Sequence, residues 1–306
     1  MTTFRQLRFL AALDEVLNFS QAAGLCNVTQ STFSTGIKEL EDGLGVQVAE
    51  RTRQSVSMTP VGADLAARAR EILASVADLE DHAACEAGTG GSLLRMGVIP
   101  TVGPFVLPRA LPLVRERLPG LQISLREELT DPLLDALIAG RLDMVLMALP
   151  HAIPAQIETM FLFEDNYHLA THLDHPLANS GVVEGEDLKD RRLLLLDRGH
   201  CLQRHALSAF PEALLSEDQS FAATSLPTLA AMVEEDLGIT LLPDLAIAAG
   251  AVNGHRLSLA PLRGARPRDV VIAWRKSSAR SEIFARIGAC LTEARDRLFA
   301  ESALDS

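Results

Sequence analysis

Over the first ninety residues, apolar positions recur at three- and four-residue steps, the period of an α-helix with one buried face. Phe4 to Leu17 reads as a first helix, with Phe4, Leu7, Leu10, Ala11 and Val16 or Leu17 pointing inward. Ser20 to Leu44 reads as a short helix, a tight turn and a longer helix. Phe33, Ile37, Leu40 and Leu44 mark the buried face of the longer one. Ser20 and Thr29 are expected to cap these two helices, because each offers a side-chain oxygen to the unpaired amides of a helix start. Asn27, between them, suits the left-handed residue that makes the bend. From Gly45 to Pro60, GVQVAERTRQSVSMTP alternates like a two-stranded wing.

From Pro60 to about Ala87, Leu65, Ala69, Ile72, Val76, Leu79 and Ala83 alternate steps of four and three. That is a heptad seam, and its small residues let a second helix approach closely. A homodimer through residues 61–88 is the expectation. GTGGS at 88–92 is a Gly-rich break and the clearest boundary. Beyond it, strands (93–99, 121–127, 144–149) alternate with helices (105–118, 133–139). A second set follows from about Asp165 to Pro267, with LLLLD at 193–197, helices at 201–210 and 226–235 and a strand at 239–242. A strand at 270–274 and a helix from about Glu282 to Leu298 finish the chain. The rhythm predicts an α/β fold, a parallel sheet with helices on both faces. Ligands of such sheets bind at the carboxyl ends of strands.

Composition narrows the classes. Of 306 residues, 48% are apolar and 22% charged, ordinary for a globular protein. No apolar run reaches membrane-spanning length, and Asp14 and Glu15 interrupt the first helix where a signal peptide would need apolar residues. A cytoplasmic protein with no membrane contact is expected. Net charge is −12, and residues 1–60 hold Arg5, Arg8, Lys38, Arg51 and Arg53 against six acidic residues. Any affinity for DNA must then come from placement of those few cations and from two copies acting together. Cys26, Cys85, Cys201 and Cys290 are too scattered for a zinc site or a disulfide framework and should be reduced thiols. His168, His172 and His175 run from a strand into a loop, a spacing that does not gather a metal. With no phosphate-cradling lysine loop and no Ser-His-Asp order, neither an enzyme nor a cofactor is expected.

Candidate chemistry falls in two places. On the outer face of the longer helix, Gln30, Ser31, Ser34, Thr35 and Lys38 carry the groups that reach base edges and phosphates in a major groove. Arg51 and Arg53 of the wing suit the phosphate backbone. The second place is a set of strand-to-helix turns. Thr101, with the amides before the next helix, can bind an anion or polar oxygen. Thr130 opens the second turn, and Asp197 to Cys201 form the third. A thiol at a helix start, as expected for Cys201, feels the positive end of the dipole, which favours thiolate. His200 is adjacent, and Arg204 and His205 share its helical face.

FRQLRFLAALDEVLNFSQAAGLCNVTQSTFSTGIKELEDGLGV, followed by Glu50 and Arg51, resembles the N-terminal domain of the LysR-type transcriptional regulators, and the similarity continues to the C-terminus. The resemblance implies a winged helix-turn-helix (1–60), a dimerising linker helix (61–88) and a two-lobed, periplasmic-binding-protein-like α/β effector domain (89–306). Lobe I would span about 92–164 and 268–300, lobe II about 165–267. It further implies operator DNA as partner and dimers that pair into a homotetramer. Gly36 stands where the family mostly has a larger polar residue, which bears on base reading. Ala49 replaces a common bulky apolar residue, which suggests a looser wing.

LLLLDRGHCLQRHALSAF, RMGVIPTVGPFVLP and TSLPTLAAMVEEDLGITLLPDLAI are similar to the peroxide-sensing OxyR branch of that family. There the cysteine after Gly-His is oxidised first, and two threonines help hold peroxide. Thr101, Thr130, His200 and Cys201 match those motifs, and Thr224 and Ser225 fall in the third. The branch's second cysteine falls at Phe210, so Cys201 would sense oxidant without an intramolecular disulfide, as a sulfenic acid, a mixed disulfide or a bond between chains. The alternative is a small carboxylate or aromatic metabolite bound between the lobes.

Overall fold

The computed structural model describes residues 1–51, 55–86, 93–178, 180–189, 191, 193–197, 209 and 217–304. They form two compact units, 1–90 with 136–141, and 91–135 with 142–306.

In the first unit, α1 (Phe4–Val16) starts at a capping box in which Thr3 and Gln6 each bond the other's backbone amide. Its buried stripe is Phe9, Leu10, Ala12 and Leu13. That stripe is rotated from the expected one: Phe4 and Leu17 are exposed, and Leu7 and Val16 only half-buried. The first and last residues of a short helix project past the partners that would cover them. α2 (Phe19–Leu25) is capped by Asn18, not by Ser20. The Asn18 Oδ1 accepts from the amides of Ser20 (2.9 Å) and Gln21 (3.0 Å). α3 (Gln30–Leu44) is capped by Thr29, as its hydroxyl required. Asn27 makes the bend at φ 53°, and Gly45 ends α3 at φ 70°. Leu44, expected inside, is exposed at that helix end.

Phe9, Phe19 and Phe33 meet at the centre of this unit, with centroids 4.7 and 5.7 Å from Phe33. Gly36 belongs to this core. A Cβ there would lie 2.6 Å from two ring carbons of Phe9, so the α3 backbone rides directly on that ring. The missing side chain is a packing requirement and lies on the buried face, away from base reading. The wing pairs β1 (Ala49–Arg51) with β2 (Val56–Met58), antiparallel, with Ala49 opposite Met58. Ala49 is buried, and Glu41 Oε1 accepts the preceding Val48 amide at 2.8 Å, so the wing root is held and not loose. α4 (Pro60–Glu86) buries Ala66 and Ala69 in the same core, and Arg70 pairs with Asp14. Further along, Ile72 and Leu79 are exposed.

The second unit is built on a five-stranded sheet. In chain order its elements are β3 (Leu93–Val98), α5 (Gly103–Arg117), β4 (Gln122–Glu127), α6 (Thr130–Ile138), β5 (Met144–Leu149) and β6 (Ile157–Asp165). After them come β7 (Tyr167–His172), β8 (Val183–Glu184), β9 (Leu193–Leu196) and β10 (Glu217–Ala223). α7 (Leu226–Glu234), β11 (Thr240–Pro243), α8 (Asp244–Ala248), β12 (Leu257–Arg263), β13 (Arg268–Arg275) and α9 (Ser281–Leu304) complete it. The larger sheet has order β4-β3-β5-β13-β6. Its first three strands are parallel, as the alternation of strands and helices predicts. β13 is antiparallel to both β5 and β6, so the sheet is mixed. The sequence pattern could not reveal that, because β6 follows β5 with no helix between and β13 returns from the other sheets.

The intervening chain forms a four-stranded sheet, β11-β7-β12-β8, and the parallel pair β10-β9. β7 is the strand on which His168 lies, whereas β6, β8, β10 and β12 are strands that the sequence pattern does not single out. The chain passes from the large sheet to the smaller ones at Asp165–Tyr167 and back at 264–267. The expected helix at 201–210 lies outside the described residues. Among the described residues, no helix is long and apolar enough to cross a membrane.

Candidate functional site

The polar face of α3 stands clear of the core. Gln30, Ser31, Thr35 and Lys38 are exposed and Ser34 is half-buried, while Phe33, Ile37 and Leu40 fix the opposite face. The Ser31 hydroxyl is 3.0 Å from that of Thr29, so the cap also orients the Ser31 side chain. Beside this face lies a groove of about 490 Å³ between α3 and the wing, lined by Ser34, Thr35, Lys38, Gln47 and Arg51. The Arg51 guanidinium sits 3.4 Å from the Phe19 ring centroid. A cation over an aromatic face is held electrostatically at low entropic cost, so Arg51 is presented at a fixed point beside Lys38. Arg53 lies outside the described residues.

At the carboxyl edge of the large sheet, the strand-to-helix turns differ from expectation in one respect. The Ile99 carbonyl accepts the amides of Val102 (3.1 Å) and Gly103 (3.0 Å), so those donors are occupied and not free for an anion. Thr101 is buried and engaged. Arg268 donates to its hydroxyl (Nη1, 2.9 Å) and to its carbonyl (Nη2, 2.9 Å). The same guanidinium bonds Asp165 Oδ2 through Nη2 (2.7 Å) and Nε (3.0 Å), and Asp165 Oδ1 accepts the Leu245 amide (2.9 Å). Burial pushes the Asp165 carboxyl above the ordinary range, opposed by the Arg268 charge and the Leu245 amide. This network ties both inter-sheet crossings to the Thr101 turn. Sequence reasoning missed Arg268 and Asp165; each is a charge at the end of an apolar strand, which is the signal that could have found them.

Thr130 is the first residue of α6, buried, and its hydroxyl has no hydrogen-bond partner. Ser225 caps α7 by accepting the Thr228 amide (3.3 Å), and Thr224 beside it is exposed. Asp197 donates its amide to the Ala223 carbonyl (2.8 Å), which fixes the end of β9. His200, Cys201 and Phe210 lie outside the described residues, as do Arg204 and His205. Cys290 is buried as expected; Cys26 is half-exposed rather than buried, and burial pushes its thiol up against an opposing charge from Arg8. His168 is engaged by Asp244 at 2.7 Å. Among the described residues no cluster could hold a metal ion.

Comparison with known proteins places this geometry. Residues 4–63 match the family model of the bacterial regulatory helix-turn-helix protein, lysR family, and residues 87–296 match the LysR substrate binding domain. A probable hydrogen peroxide-inducible genes activator of Streptomyces viridosporus is 38% identical over 291 residues, covering 94% of this chain and 93% of that protein. The DNA-binding transcriptional dual regulator OxyR of Escherichia coli (strain K12) is 43% identical over 243 residues, 79% of each chain. Among solved structures, a full-length OxyR variant from Pseudomonas aeruginosa superimposes with a TM-score of 0.76 at 31% identity, covering 95% of each chain. With a lysR-family helix-turn-helix in its first unit and the LysR substrate-binding fold in its second, this chain belongs to the LysR-type DNA-binding transcriptional regulators and is similar to their OxyR members.

Proposed function

We propose that this regulator responds to hydrogen peroxide or a related oxidant through Cys201, without an intramolecular disulfide, and transmits the change to operator DNA. The observation that carries the reading is the Thr130 hydroxyl, buried and unpartnered at the carboxyl edge of the sheet. A small polar molecule completes such an atom, whereas a buried polar group left alone costs about 1–3 kcal/mol. The peroxide-inducible relatives and the Gly199-His200-Cys201 motif support the same chemistry. With Phe210 in place of a resolving cysteine, the signalling form is a sulfenic acid, a mixed disulfide with a small thiol or a bond between chains.

DNA is read by Gln30, Ser31, Ser34, Thr35 and Lys38, with Arg51 and Arg53 on phosphates. Thr101, Thr130, His200, Thr224 and Ser225 surround the effector. Two copies join through residues 61–88, where Ile72 and the 67%-exposed Leu79 leave apolar surface for a second helix. Pairs of dimers form a homotetramer in the cytoplasm. The test is peroxide-dependent transcription and operator binding by the wild type and by Cys201→Ser, with mass spectrometry of the Cys201 peptide with and without glutathione. Loss of the peroxide response in Cys201→Ser, together with oxidised Cys201 in the wild type, is expected. An undiminished response removes the sensing role. Tight binding of a carboxylate or aromatic metabolite by the full chain would replace it.

A further inference from the structure

A second polar pair stands at the same sheet edge. β5 ends at Leu149, and two residues on the His151 ring turns inward, its side chain only 4% exposed. His151 Nε2 lies 2.9 Å from Oδ1 of Asp131, the second residue of α6. A carboxylate can only accept, so Nε2 carries a proton, and in the neutral form of the ring Nδ1 is then a lone-pair acceptor. That Nδ1 is buried and has no partner. One residue before Asp131, the Thr130 hydroxyl is in the same condition. β4, which leads into α6, and β5, which leads into His151, run parallel on either side of β3, so both turns leave the sheet at one edge. Buried polar atoms in folded proteins are nearly always paired. Two orphans, one on the residue before Asp131 and one on the ring that Asp131 holds, are a constellation that a ligand would complete.

We propose that His151 Nδ1 and Thr130 Oγ1 hold one small, neutral, hydroxyl-bearing ligand, of which hydrogen peroxide is the type, with His151 accepting its O–H and Thr130 donating to its oxygen. The inference rests on the peroxide reading above and adds a ligand-holding residue and a selectivity to it. A carboxylate has no proton to give Nδ1 of the neutral ring, so the pair favours a hydroxyl-bearing ligand over metabolic acids even though a helix start ordinarily attracts anions. In the oxidation itself, the thiolate sulfur of Cys201 bonds one peroxide oxygen and the O–O bond breaks. The displaced hydroxide is protonated to water, and the two electrons lost by sulfur are gained by the peroxide. His151 enters none of these bond changes. It positions the O–H.

The test measures the second-order rate of Cys201 oxidation by hydrogen peroxide in the full chain, by mass spectrometry, for wild type and three variants. His151→Gln keeps a donor for Asp131 but has no acceptor at the Nδ1 position. His151→Asn keeps an acceptor near Nδ1 and loses Asp131, and His151→Phe keeps neither. The expected result is a rate about five- to tenfold lower in His151→Gln and His151→Phe, the net worth of one hydrogen bond, with most of the rate retained in His151→Asn. Excess sodium acetate should leave the wild-type rate unchanged. A wild-type rate in His151→Gln with a slow His151→Asn would mean that His151 only anchors Asp131, and would overturn the proposal. Competition by acetate would overturn its selectivity. A wild-type chain whose Cys201 ignores peroxide would overturn the peroxide reading as well, a result distinct from either of these.

Discussion

Replacing Arg268 by Met should be among the most damaging single changes in this protein. The Arg268 and Asp165 side chains are 0% and 1% exposed, and the guanidinium makes four hydrogen bonds to Asp165 and Thr101. Met occupies similar space, so little cavity is left. What remains is a buried carboxylate with the Leu245 amide among its donors and the guanidinium gone, and a Thr101 carbonyl stripped of that donor. Removing one member of a buried ion pair costs about 3–5 kcal/mol. In a unit of this size each kcal/mol moves the unfolding midpoint by about 2–4 °C, giving a drop of roughly 6–20 °C.

Calorimetry on the full chain, following the transition of the 91–135 and 142–306 unit, reads this directly. Arg268→Met with Asp165→Leu should recover much of the loss, because an apolar pair of similar volume replaces a buried ion pair at little or no cost. The pH dependence has a definite sign. Burial raises the Asp165 carboxyl in the folded state, and losing Arg268 raises it further. A group raised on folding contributes stability below its unfolded value, and that contribution is lost as pH rises through the folded value. The deficit of Arg268→Met is therefore greatest at neutral pH and narrows as pH falls toward about 4. A midpoint within 2 °C of wild type at pH 7, or a double variant as unstable as the two singles summed, would refute the account (on the order of the unit-size scaling above).

Lys38→Ala should weaken operator binding by similar factors across related sequences and reduce the salt slope by about one per copy, read by fluorescence anisotropy; an unchanged slope removes Lys38 from the phosphate contacts. Gly36→Ala forces a methyl to 2.6 Å from the Phe9 ring and should cost about 1–3 kcal/mol in urea unfolding, with partial relief from Phe9→Leu. Cys26, whose thiol is raised by burial above its ordinary value of 9.0, should alkylate with iodoacetamide more slowly at pH 8 than a free thiol, accelerating as pH passes 9. Peptide mass spectrometry that finds it as fast as a free thiol would contradict that burial.

Much of the molecule is local and could be read from the chain. A Thr four residues before an apolar stripe makes a cap wherever the helix lies, and Asn27 bends the backbone because its own side chain tolerates φ 53°. Alternating strand and helix patterns fixed β3 to β5, because a parallel pair needs a helical crossover. The polar face of α3 was legible for the same reason, since helical period alone separates Lys38 from Ile37 and Leu40.

Tertiary contact decided the rest. Gly36 reads as an anomaly of α3 until Phe9 is seen against it. The amides before α5 look free until the Ile99 carbonyl folds back onto them. Arg268, Asp165 and Thr101 are separated by up to 167 positions, and His151 by 20 from Asp131. No sequence period links such residues, because what brings them together is the closing of strands from distant parts of the chain into one sheet. Which buried polar atoms end up paired, and which are left open at the sheet edge, is settled only by that closure.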